Sequence, residues 1–254
     1  MRHGGIVALV ILAACSFKPR ATGDAGPDDA RDASDASDAR DAATDAPPDG
    51  PPPACNQTLC ESILGTCNAT TGYCDIDFAG NGRAACRPGL RCNIVCDGAA
   101  DTCLDGVDCR SADGCIITCA SNDSCRNGSV LCPTVGTCDV TCSGTDACGN
   151  QGVTCGNGRC DVACTGNNAC KSGGIDCNTS TDCHGRCESA NACQNGGVQC
   201  GPSGICEAEC IGNNACETPI CSGEPDTCTY NCCGTNACGS APACAPLCTE
   251  TNNC

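Results

Sequence analysis

The residues in this chain with the means to do chemistry are its cysteines, 37 of them among 254 residues. Three chemistries use cysteine at that density: disulfide cross-linking in an oxidising compartment, metal storage by thiolates, and thiol–disulfide redox catalysis. Spacing separates them. Thiolate stores are dense in C-x-C, zinc sites use C-x2-C pairs or mix in histidine, and redox sites use C-x-x-C. Here the recurrent spacings are C-x3-C, C-x5-C and C-x6-C, and the histidines are His3 and His184. A metal-thiolate protein is therefore a minor alternative. No metal ligand or cofactor site is assigned.

The cysteines fall into four columns. The first holds Cys92, Cys115, Cys138, Cys160, Cys183, Cys206, Cys228 and Cys244. Four residues on come Cys96, Cys119, Cys142, Cys164, Cys187, Cys210, Cys232 and Cys248. The third column is Cys103, Cys125, Cys148, Cys170, Cys193, Cys216, Cys238 and Cys254. The fourth is Cys109, Cys132, Cys155, Cys177, Cys200 and Cys221. The period is 22 or 23 residues over six units, which points to a repeat architecture. Setting Cys15 aside leaves 36 cysteines, an even number that permits complete pairing.

The elements that must position these cysteines are legible in the other columns. Between the first and second cysteines stand Ile94, Ile117, Val140 and Val162; two residues before the fourth stand Val107, Val130, Val153, Ile175 and Val198. Both C-x-V-x-C and V-x-C alternate with period two, the pattern of short half-buried strands. Two residues before the third cysteine runs Asp101, Asp123, Asp146, Asn168, Asn191, Asn214 and Asn236. Asp and Asn tolerate the left-handed backbone region, so this column predicts a stacked turn. Gly144, Gly166, Gly212 and Gly234 follow the second cysteine by two residues. The expected fold is all-β: a disulfide-rich parallel β-helix over 86–254, its bonds made within coils, preceded by a small Cys-rich cap over 55–85. Cys55, Cys60, Cys67 and Cys74 would supply two local bonds to that cap. The alternative is an array of disulfide knots, since Cys193–Cys200 resembles the C-x-N-G-G-x-C piece of an EGF module.

Other chemistry finds little support. Glu188, Glu207, Glu209 and Glu217 are scattered along the sequence, His184 stands alone, and Lys171 is the last lysine. A polysaccharide-acting β-helix enzyme needs clustered carboxylates in a groove, so no catalytic residue is assigned. A sugar-binding face needs aromatic platforms, and only Tyr73, Phe78 and Tyr230 are available past residue 54. The aspartates of the turn column give way to asparagine, unlike a calcium cage. The outward strand positions Asp139, Asp161, His184, Glu207 and Thr141, Ala163, Arg186, Glu209 hold no threonine ladder for ice. The formal charge of −17 with sparse basic residues argues against a nucleic-acid partner.

The N-terminus reads M-R-H-G-G-I-V-A-L-V-I-L-A-A-C, a basic start and a short apolar run before small residues, as in an export signal. The ending Leu12-Ala13-Ala14-Cys15 resembles the lipobox of bacterial lipoproteins. That resemblance implies that 1–14 is removed as a signal peptide and that Cys15 is acylated, anchoring the chain to a membrane. Ser16 in the following position leans the sorting towards the outer membrane. Residues 16–54 are rich in Asp, Ala and Pro without apolar periodicity, so 15–54 is expected to be a lipid-anchored disordered tether. A coil of this length spans about 35 Å. The functional expectation is a non-catalytic cell-envelope lipoprotein, a surface structural or interaction module. A carbohydrate-binding or carbohydrate-acting surface protein is the alternative.

Overall fold

The computed structural model describes residues 54–202, 204–217, 220–221, 227–239 and 248–251. The signal, Cys15, nearly all of the tether, Cys244 and Cys254 lie outside the described residues. In chain order the elements are α1 (Gln57–Glu61), β1 (Thr66–Cys67), β2 (Cys74–Asp77), β3 (Ala84–Ala85), β4 (Arg91–Cys96) and β5 (Val107–Asp108). Then come β6 (Gly114–Cys119), β7 (Val130–Leu131), β8 (Thr137–Cys142), β9 (Val153–Thr154), β10 (Arg159–Cys164) and β11 (Ile175–Cys177). The last are β12 (Asp182–Cys187), β13 (Val198–Cys200), β14 (Ile205–Ile211), β15 (Ile220–Cys221), β16 (Thr227–Cys233) and β17 (Cys248–Thr251).

The strands alternate between two sheets. The longer holds β1, then β2, β4, β6 and every second strand to β16, and last β17; the shorter holds β3, β5, β7, β9, β11, β13 and β15. Apart from the antiparallel β1–β2 pair, all pairings are parallel, and in the longer sheet cysteine stacks on cysteine; Cys248, a second-column cysteine by its spacing, pairs instead with Cys228 of the first column. Period-two burial explains the register. In β4 and β10, Cys, Ile or Val, and Cys point in while the residues between them face out, and a one-residue slip would invert both faces. This is a parallel β-solenoid with continuous sheets, not a string of separate knots.

The interior is a narrow stack. Ile94, Ile117, Val140 and Val162 line the longer sheet and face Val107, Val130, Val153, Ile175 and Val198, all essentially buried. Gly185 takes the next place in the first row, where a Cβ would lie 2.9 Å from one Val198 methyl and 3.3 Å from Ile175 Cδ1. The large residues across the core thus occupy the volume that Gly185 leaves.

Disulfides hold the corners. From Cys96 to Cys232 each second-column cysteine bonds the third-column cysteine after it, as in Cys142–Cys148, Cys164–Cys170 and Cys187–Cys193. From Cys109 to Cys200 each fourth-column cysteine bonds the first-column cysteine that opens the next long strand, as in Cys132–Cys138 and Cys177–Cys183. One bond closes the exit from the longer sheet and the other the return to it. From Cys86 to Cys216 no bond joins distant coils. Cys232 bonds Cys238, so Cys232 and Cys233 do not form a vicinal disulfide.

The turn column sits in the left-handed region, with φ from 57° to 71° at Asp101, Asp123, Asp146, Asn168, Asn191, Asn214 and Asn236. The cysteine two residues on is left-handed too, at φ 51° in Cys170 and Cys193. Nothing in the cysteine spacing announces that conformation, which an L-residue other than Gly, Asn or Asp rarely adopts. Gly166 follows from the same tight corner: a Cβ there would lie 2.0 Å from the Gly144 carbonyl oxygen one coil away.

The first coil starts earlier than the spacing suggests. Cys74 and Ile76 pair in register with Cys92 and Ile94, and Ala84 with Val107. The solenoid therefore begins at Cys74, inside the stretch expected to be cap. The remaining cap is α1 and the β1–β2 hairpin, with α1 started by Asn56, whose side chain accepts from the Leu59 amide. Bonds Cys55–Cys67 and Cys60–Cys74 tie it to the first strand.

Candidate functional site

Strand register decides which polar residues meet. On the outward face of the longer sheet, Asp139, Asp161, His184 and Glu207 occupy one row on successive strands β8, β10, β12 and β14. Thr141, Ala163, Arg186 and Glu209 form the next row. Neighbouring strands lie about 4.8 Å apart, so side chains 22 or 23 residues apart in sequence become immediate neighbours.

His184 is not alone. Its Nε2 lies 3.1 Å from Asp182 Oδ1 on the same strand, and its Nδ1 lies 3.1 Å from Glu207 Oε2 on the next. Arg186 reaches two carboxylates: Glu188 at 2.5 Å and Glu209 at 3.1 Å. Arg159 holds Asp161 at 2.9 Å. Three of the four glutamates that look scattered in sequence thus converge around His184 and Arg186. Glu217 stands apart, taking a hydrogen bond from Gln194 Nε2 at 3.0 Å. These groups are a third to a half exposed, where an ion pair contributes about 0–1 kcal/mol. The array adds little to stability, and its carboxylates are already engaged by His184 and the two arginines. It presents fixed carboxylates, a guanidinium and an imidazole on one outward β face.

Asp139 ends the charged row. Partial burial, and then the Asp161 charge on the next strand, push its carboxyl above the usual range, while Arg159 pulls the other way. On the shorter sheet the balance is reversed. Arg110 donates to both Asp108 oxygens, at 3.0 and 2.7 Å, and holds that carboxyl below its ordinary value.

The turn column forms a side-chain ladder in its asparagine half. Asn191 Nδ2 donates to Asn168 Oδ1 at 3.2 Å, and Asn214 Nδ2 to Asn191 Oδ1 at 3.2 Å. In the aspartate half, ionised carboxylates have no proton to pass along, and Asp123 pairs with Arg126 instead.

Neither tyrosine offers an open platform. Tyr230 is fully buried. Tyr73 lies under the Arg91 guanidinium, 4.3 Å from the ring centre, and its hydroxyl accepts a bond from the same group at 2.6 Å. Grooves of about 220 and 410 Å³ open beside Arg110, lined by Thr134 with Asn157 or Val135. Sulfurs also crowd together, Cys132, Cys155 and Cys160 lying within 4.8 Å. They belong to stacked disulfides, Cys132–Cys138 and Cys155–Cys160, and so offer no thiolate donors to a metal.

The chain matches no family model, no curated protein and no solved structure.

Proposed function

We propose that this protein is an exported, lipid-anchored bacterial envelope protein that acts without catalysis. The solenoid is a rigid mount that displays the charged face of the longer sheet to a partner. The observation that carries this reading is the convergence of Asp161, His184, Arg186, Glu207 and Glu209 on one outward face by strand register alone. Burial cannot account for it, because the groups are half-exposed and worth little to folding. An array of fixed carboxylates around His184 and Arg186 selects a partner by complementary potential and registers it at the strand spacing. The lipobox-like Leu12-Ala13-Ala14-Cys15 and the acidic stretch after it support the anchoring half of the reading. Disulfide density supports export.

Two measurements test the two halves. Cells expressing the full chain are fed an alkynyl fatty acid, and label is expected in the membrane-bound wild type and in none of the Cys15→Ala variant. Unlabelled, soluble wild type would sink the anchor. Photo-crosslinkers at Asp161 and Arg186 are expected to trap one envelope component that a crosslinker at Gln199, on the shorter sheet, does not. Equal trapping from both sheets would remove the face as the contact surface.

A further inference from the structure

The order in which the cysteines pair bears on how the protein is made. Between Cys86 and Cys216, 24 cysteines form 12 bonds, and every bond joins one cysteine to the very next in the chain. The separations are 5 to 7 residues. The cap breaks the rule. Cys55 bonds Cys67 and Cys60 bonds Cys74, so the two bonds cross in sequence. Their next-neighbour pairs would be Cys55–Cys60 and Cys67–Cys74.

A chain threaded N-terminus first into an oxidising compartment presents its thiols one at a time. A thiol oxidase forms a mixed disulfide with one of them, and the next thiol to arrive resolves it. In the solenoid that next thiol is the native partner, across a loop short enough to close in about 10–100 ns. In the cap it is the wrong partner. The native crossing is also tightly built: a Cβ on Gly65 would lie 2.4 Å from Cys74 Sγ and 2.9 Å from Cys60 Sγ. Cys60 and Cys74 are fully buried there, whereas Cys55 and Cys67 remain partly exposed.

We propose that this protein is a substrate of a thiol–disulfide isomerase, which acts on the four cap cysteines and is not required by the solenoid from Cys86 to Cys216. The inference rests on the reading that the chain is exported. The exchange balances without an added oxidant. The isomerase thiolate attacks Cys60 Sγ of a Cys55–Cys60 bond, and Cys55 leaves as thiolate. Cys55 attacks Cys67 of Cys67–Cys74, forming Cys55–Cys67 and releasing Cys74. Cys74 then attacks the mixed disulfide at Cys60, forming Cys60–Cys74 and returning the isomerase thiolate. Two disulfides enter and two leave.

The test exports the full chain carrying Cys15→Ala, behind a host export signal, into the periplasm of a bacterium with its thiol oxidase and with or without its disulfide isomerase. Bonds are mapped by non-reducing peptide mass analysis. Four cysteines allow three pairings, so unguided oxidation leaves roughly a third of caps native. Without isomerase the native share is expected at that level or below, with Cys55–Cys60 and Cys67–Cys74 as the principal wrong bonds and the twelve solenoid bonds intact. In a Cys55→Ser/Cys67→Ser variant, Cys60 and Cys74 become next neighbours and the isomerase dependence is expected to vanish. Native caps without isomerase overturn the proposal. Scrambled solenoid bonds do so too, as does isomerase dependence that persists in the double variant. Because the host signal supplies export, a failed lipid anchor leaves this result readable.

Discussion

Gly185 and Val198 form a compensating pair, and a double-mutant cycle measures it. Valine at 185 restores the residue type that Val140 and Val162 hold in the same row, yet it is expected to destabilise. Its Cβ alone would sit 2.9 and 3.1 Å from the Val198 methyls and 3.3 Å from Ile175 Cδ1. Carbon contacts settle at about 3.5–4.0 Å, so the overlap is roughly half an ångström on three sides before the two added methyls are placed. Relief must come from side-chain movement, because all three contacts are side-chain atoms. Overpacking of this kind costs about 1–3 kcal/mol, partly offset by about 0.5–1 kcal/mol for removing a glycine from a strand. Gly185→Val should therefore cost on the order of 2 kcal/mol. Val198→Ala removes two buried methyls and should cost about 2 kcal/mol as well. Together the cavity and the excess volume cancel, so the double variant should lie within about 1 kcal/mol of wild type rather than near the sum of about 4. Equilibrium unfolding in guanidinium with disulfides oxidised, followed by far-UV circular dichroism, gives all three values. Additivity of the two substitutions to within about 0.5 kcal/mol would refute the compensation.

Four further outcomes follow from the described geometry. Removing one corner bond as Cys164→Ala/Cys170→Ala should cost about 2.4 kcal/mol of loop entropy. Placing glycine instead of alanine at 170 should recover about 1 kcal/mol or more, because that residue is left-handed at φ 51°; equal melting of the two variants would contradict the strain. Asn191→Asp keeps a residue that tolerates φ 57° but removes the proton donated to Asn168, so it should cost about 1 kcal/mol at neutral pH, and less in acid, where the carboxyl regains a proton. For Asp139, whose carboxyl is raised, the protonated form is the one the fold favours: that support is present in acid and lost as pH rises through the folded value. Asp139→Asn should raise the melting temperature at pH 7 and change little in acid. For Asp108, whose carboxyl is lowered, the contribution is present above its unfolded value and lost as pH falls through the folded one, so Asp108→Asn should lower the melting temperature at pH 7 and not in strong acid.

Much of the architecture is visible in the chain because a solenoid writes its register directly into its period. Cys, Val and Cys at alternate positions specify an inner face, and a constant 22 or 23 residues brings like onto like. Asx residues mark the corner for the same local reason, their tolerance of positive φ. The start of the solenoid is masked because the first coil has Phe78 where later coils have a cysteine, and an 18-residue step from Cys74 to Cys92. The charged face is half legible: its rows follow from the period, but the link between them does not. Asp182 and Glu188 lie just outside the C-x3-C core of the repeat, and only side-chain reach joins them to His184 and Arg186. Pairing of the cysteines is the least legible feature, because spacing alone does not choose among near-equal local partners.

The local bonding has a mechanical consequence. From Cys86 to Cys216 no disulfide spans more than 7 residues, so these cross-links do not join one end of the stack to the other. Under tension the chain can leave the stack one coil at a time. From Cys164 to Cys187, two bonds each hold 6 residue steps to a Cα–Cα length of 6.2 Å. About 11 free steps at roughly 3.4 Å each remain, so a released coil yields about 50 Å oxidised against about 78 Å reduced. A protein tethered at one end and gripped at the other would thus extend in equal increments under load and restack when the load is removed, its bonds unbroken throughout.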